Sequence, residues 1–86
     1  MKIKTKSGIT EEIDFDRIAN ELQQRALDNS YYFTKGDLDC LIKDIKDEMD
    51  SFLKKGGIIS VYDLKYVIRI VLLRSKFRWI CREIYV

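Results

Sequence analysis

Apolar and polar residues alternate along the first thirteen positions, and from Phe15 onward apolar residues recur at helical spacing. In the opening segment Ile3 and Thr5 fall on one side of an extended chain, while Lys2, Lys4 and Lys6 fall on the other. Ser7-Gly8 is a turn signal, because glycine accepts positive φ without a Cβ clash. Ile9, Glu11 and Ile13 then share a side on the return, opposite Thr10 and Glu12. The pattern predicts a β-hairpin with lysines on one strand and carboxylates on the other, placed for cross-strand charge pairing.

Asp14 is the expected N-cap of a first helix, whose apolar side is Phe15, Ile18, Ala19, Leu22 and Ala26. Asp28-Asn29-Ser30 breaks that periodicity, and Tyr31-Tyr32-Phe33 reads as an aromatic connector packed at the edge of the core. Thr34, with Asp37 three residues on, opens a second helix in a capping-box pattern. Its apolar side is Leu38, Leu41, Ile42, Ile45, Met49, Phe52 and Leu53, and the carboxylates opposite are expected to be solvated. Lys54-Lys55-Gly56-Gly57 ends it, with cations at the negative pole. Ser60 and Asp63 repeat the capping pattern ahead of Leu64, Val67, Ile68, Val71 and Leu72. Tyr66, Ile70 and Leu73 spread apolar surface to other sides of this third helix, which predicts a central position for it. A joint at Arg74-Ser75-Lys76, capped by Ser75, is predicted before a fourth helix that buries Phe77, Ile80, Cys81 and Ile84, with Trp79 and Tyr85 flanking. The expected fold is α+β and mostly helical, an N-terminal β-hairpin packed on a bundle of about four helices in a single domain over residues 1–86.

Composition narrows what such a domain can do. The chain has 86 residues, 47% hydrophobic and 35% charged, with no histidine and no proline. A chain this short buries only about 60–65% of the surface it exposes when unfolded, so one modest core must carry it. Without histidine, most hydrolase triads and most zinc sites are excluded. Cys40 and Cys81 form no C-x-x-C pair and are expected to pack as free thiols, as in a reducing cytoplasm. The phosphate-cradling G-x-x-x-x-G-K-[ST] and G-x-G-x-x-G loops are absent. Neither an enzyme nor a metal site of its own is expected. The longest apolar run, Ile70 to Leu73, is far short of the roughly 20 residues of a membrane span.

Net charge is +2, but it is unevenly spread. Residues 7–50 hold twelve carboxylates against five cations, and residues 65–86 hold six cations against Glu83. The split can steer an anionic partner, or it can be two complementary faces that meet inside the fold. Near-neutral overall charge and a large acidic surface argue against nucleic acid as that partner. The lysine strand with Arg17 in the adjacent first helical turn could gather a polyphosphate. Equally, lysines on an edge strand discourage sheet-to-sheet aggregation.

The run Ile3-Lys4-Thr5-Lys6-Ser7-Gly8, followed by Ile13-Asp14-Phe15-Asp16-Arg17-Ile18, resembles the opening of the ATP-cone domain. Downstream, Ile59-Ser60-Val61-Tyr62-Asp63-Leu64 with Val67 is similar to that family's third-helix start, and Arg82-Glu83-Ile84-Tyr85 echoes its aromatic last helix. Thr5 and Lys6 stand where the family carries a Lys-Arg pair, and Arg17 stands for its usual lysine. The resemblance implies a β-hairpin over a helical bundle with ATP or dATP bound between them. In the family this module regulates ribonucleotide reductases through changes of oligomeric state, and it forms the effector domain of a repressor of reductase genes. Carried over by position, Ile3, Lys6, Glu11, Asp14, Arg17 and Ile18 would line the nucleotide cleft, and Val61 and Lys65 would face the base or sugar. Partners would be adenine nucleotide and another protein, or a second copy, met through the helical face. The chain would be an N-terminal module or a stand-alone cone-like protein. The alternative is a small interaction module or inhibitor, of the kind a mobile element encodes, that keeps the scaffold without nucleotide.

Overall fold

The computed structural model describes residues 1–5, 7–55 and 59–80. Strand β1 (Lys2–Lys4) turns back into β2 (Thr10–Glu12), with Lys2 opposite Glu12, Ile3 opposite Glu11 and Lys4 opposite Thr10. Gly8 holds φ at 83°, the left-handed value that the turn requires. The amide of Thr5 donates to Ile9 O and that of Gly8 to Thr5 O, closing the connection. A third strand, β3 (Ile59–Ser60), lies parallel to β1 on its other side. The result is a mixed sheet in the order β2-β1-β3 rather than an isolated hairpin.

Each helix begins where a polar side chain meets its free amides. Asp14 accepts from Arg17 N at 3.0 Å and starts α1 (Phe15–Asp28). Thr34 and Asp37 form a reciprocal capping box at the start of α2 (Lys35–Lys54). Ser60 and Asp63 do the same for α3 (Val61–Arg74). Ser60 therefore serves twice, as the end of β3 and as the cap of α3, so the sheet and this helix are joined without a linker.

The core draws on nearly every element: Ile18, Leu22 and Ala26 of α1, Leu41, Ile45 and Met49 of α2, Ile59 of β3, and Val67, Ile68, Val71 and Leu72 of α3. Phe33 and Phe77, edge to face at 4.6 Å, close one corner together with Tyr31 and Trp79. The side-chain amide of Gln23 spans the Phe33 backbone, donating to its carbonyl at 2.8 Å and accepting from its N–H at 3.0 Å. Where the charge split meets itself, Arg74 pairs with Glu48 at 2.7 Å and Lys76 with Asp37 at 4.0 Å, both partners lying on α2.

Several expectations are corrected. The bundle of about four helices is three α-helices followed by a single 3₁₀ turn, Arg78–Ile80, among the described residues. Ser75 ends α3 with ψ near 171°; its hydroxyl donates to Leu72 O and accepts from Phe77 N, so the helix stops at the expected joint. Phe77 and Ile80 are buried as expected, while Cys81, Ile84 and Tyr85 lie outside the described residues. Helix α3 does take the expected central position, packing on α2, β1, β3 and the 3₁₀ turn, although Tyr66 and Leu73 face solvent. Cys40, expected to pack, is an exposed free thiol. It precedes Leu41 on α2, and one residue of helical rotation turns it out of the buried stripe. Among the described residues no helix is long and apolar enough to cross a membrane.

Candidate functional site

A cleft of about 410 Å³ opens where the sheet meets the first turns of α1 and α3. That is within the range of about 300–1,000 Å³ typical of small-molecule sites. From the sheet come Ile3 of β1 and Glu11 and Glu12 of β2, with Ile13 just beyond. Ile3 and Glu11 are cross-strand partners and so project to the same side of the sheet. Ile13 is fixed by its amide donating to Met1 O at 2.9 Å.

Two helices complete the walls with the same spacing. Asp14, Arg17, Ile18 and Glu21 line one wall at i, i+3, i+4 and i+7. Val61, Leu64, Lys65 and Ile68 line the other at that spacing too. Both helices start at the cleft because their caps, Asp14 and Ser60, sit at the ends of the segments leading out of the sheet. The pairing of Ile3 with Ile59 and of Lys4 with Ser60 places the α3 wall beside the hairpin.

The lining has two chemical characters. Ile3, Ile13, Ile18, Val61, Leu64 and Ile68 form an aliphatic set able to receive a flat apolar ring. The polar set holds four carboxylates, Glu11, Glu12, Asp14 and Glu21, against Arg17 and Lys65. Arg17 is engaged with Glu21 at 3.4 Å, one helical turn away. Glu12 accepts a hydrogen bond from the Met1 ammonium at 2.9 Å. That bond and then the ammonium's charge hold the Glu12 carboxyl below its usual range, against slight desolvation, and Lys2 adds a smaller pull. Among the described lining residues none has the nucleophile–base geometry of covalent catalysis. Among the described residues no group of His, Cys, Asp or Glu side chains is arranged to hold a metal ion.

Of the eight positions singled out from the sequence, the structure brings Ile3, Glu11, Asp14, Arg17, Ile18, Val61 and Lys65 to this cleft. Lys6, the eighth, lies outside the described residues. Glu12, Ile13, Glu21, Leu64 and Ile68 complete the lining and were not singled out. The signal for three of them was present: Glu21 is i+7 from Asp14, and Leu64 and Ile68 are i+3 and i+7 from Val61. Neither a scan against models of known protein families nor a search of curated proteins finds a match to this chain.

Proposed function

We propose that the chain is a non-catalytic regulatory module that binds an adenine nucleotide in the cleft between sheet and helices and passes the signal on through protein contacts. One observation carries this reading: residues from three separate segments, assigned together by the ATP-cone resemblance, line a single cleft of small-molecule size. The aliphatic lining suits a purine ring, and the carboxylates suit hydroxyl and amino donors.

The test is thermal melting of the whole chain with ATP or dATP. Ligand at a hundred times Kd stabilises the native state by about 2.7 kcal/mol. In a domain of this size each kcal/mol raises Tm by about 4–8 °C. Val61→Glu places a carboxylate and extra bulk in the cleft at the first position of α3, where an acid suits the helix dipole. This variant is expected to keep the unliganded Tm and lose the shift. No shift in the unaltered chain at millimolar nucleotide overturns the proposal.

A second reading, an interaction module that needs no nucleotide, draws on one specific observation. Tyr66 is 55% and Leu73 40% exposed on the outer side of α3, and Tyr66 meets Phe52 of α2 edge to face at 6.3 Å. Aromatic residues of this kind anchor protein interfaces. Sedimentation across a concentration series separates the two. Association that responds to ATP supports the first reading, and association indifferent to it supports the second.

A further inference from the structure

We infer that the cleft recognises the nucleoside part of its ligand and gains almost nothing from the phosphates. This rests on the proposed nucleotide site and specifies which part of the ligand that site reads.

Three features of the cleft lead to it. The first is charge. Among the described residues four carboxylates line the site against Arg17 and Lys65, and with the Met1 ammonium that pairs with Glu12 counted as well, carboxylates still outnumber cations by one. Each added phosphate brings negative charge toward a site that is already negative. The second is the state of the cations. Arg17 places its Nε 3.4 Å from Glu21 one turn along α1, so a neighbouring carboxylate already offsets part of its charge. Lys2 and Lys4 neighbour Ile3 along β1, and the pleat turns them to the opposite side of the sheet from the side that faces the cleft. That leaves Lys65, an exposed side chain, as the lining cation with no carboxylate partner among the described residues.

The third feature is the helix starts. Two N-termini opening on one cleft would ordinarily be an anion site, because their first amides lack intrahelical partners. Here the Arg17 amide at the start of α1 is taken by the Asp14 carboxylate, and the Asp63 amide at the start of α3 by the Ser60 hydroxyl. Asp14 also sets a carboxylate at the start of α1, the helix end that would otherwise attract an anion. What the cleft offers is an aliphatic bed and a set of acceptors. An adenosine unit matches both, with a flat ring to bury and neutral hydroxyl and amino donors to give.

The test is calorimetric titration of the whole chain with adenosine, AMP, ADP and ATP, in chelator so that no divalent cation masks the phosphates. Expected are four Kd values within about fivefold of one another, with little dependence on ionic strength. A Kd that tightens by more than about fivefold from adenosine to ATP, and weakens as salt is raised, overturns the inference while leaving the nucleotide site standing. No binding of any of the four overturns the nucleotide site itself, and the inference with it. Glu21→Gln, at an exposed position of α1, releases Arg17. It is expected to raise the preference for ATP over adenosine by at least about twofold, and an unchanged preference overturns the charge argument.

Discussion

Gln23 shows how much of this fold rests on single polar contacts. Its side-chain amide occupies both hydrogen-bonding groups of the Phe33 backbone, whose ring is fully buried against Phe77. Gln23→Leu keeps the volume but strands a donor and an acceptor, so a loss of about 1–3 kcal/mol is expected in urea unfolding. Gln23→Glu can still accept from the Phe33 N–H but cannot donate to its carbonyl while ionised, and should fall between. Gln24, which reaches only to Asp28 on the exposed side of α1, is the control, and Gln24→Ala should cost less than about 0.5 kcal/mol. A lone glutamine on a helix carries no sequence signal for this role, because its partner lies ten residues away across a chain reversal at Ser30, where φ is 60°. Glu12 is a second case. Its carboxyl is pulled down by the Met1 ammonium, so the native state favours the ionised form. The stabilisation is present above the unfolded-state pKa and is lost as pH falls through the lower folded-state value. A carboxyl-carbon NMR titration should place Glu12 below the usual glutamate range and return it toward that range when the amino terminus is acetylated.

At the scale of elements, what could be read from the chain was what is encoded locally. Asp14, Thr34 and Ser60 cap the three helices as their positions suggest, since a cap and its amide are neighbours in sequence. Strand β3 could not be read that way. Two residues carry no period, and Ile59 pairs with Ile3 from the far end of the chain. The same distinction separates two cap variants. Thr34→Ala should lower stability by about 0.5–2 kcal/mol and leave ligand affinity unchanged, because α2 contributes nothing to the cleft lining. Ser60→Ala removes a cap of the same kind, but at the junction of β3 with the wall that holds Val61 and Lys65. Denaturation should show a comparable loss, and titration with adenosine should show weaker binding for this variant alone.

At the scale of the whole molecule, the core is one contiguous cluster rather than a hairpin resting on a separate bundle. Ile59 ties the sheet to it, Phe77 and Ile80 tie the end of the described chain to it, and every α-helix contributes at least three buried side chains. The periodicity showed which faces are apolar, but that α3 stops at Arg74 and a 3₁₀ turn follows at Arg78–Ile80 depends on how Ser75 redirects the backbone, a three-dimensional matter. Helix α3 links two regions: its first turns line the cleft, and its end, roughly 20 Å away for fourteen residues, leads into the 3₁₀ turn that carries Trp79 into the aromatic corner. Trp79 fluorescence reports that corner, and far-UV circular dichroism reports the helices. With one core, both signals should unfold at one urea midpoint and with one slope. If nucleotide binds in the cleft as proposed, it stabilises the native state as a unit, and saturating nucleotide should move both midpoints equally. A Trp79 transition that precedes the helical one, or stays in place when ligand shifts the other, would mean that the corner melts independently. Under the proposed regulatory role, a cleft signal could then not reach it along α3, and the Tyr66 and Leu73 side of that helix would be the remaining route out.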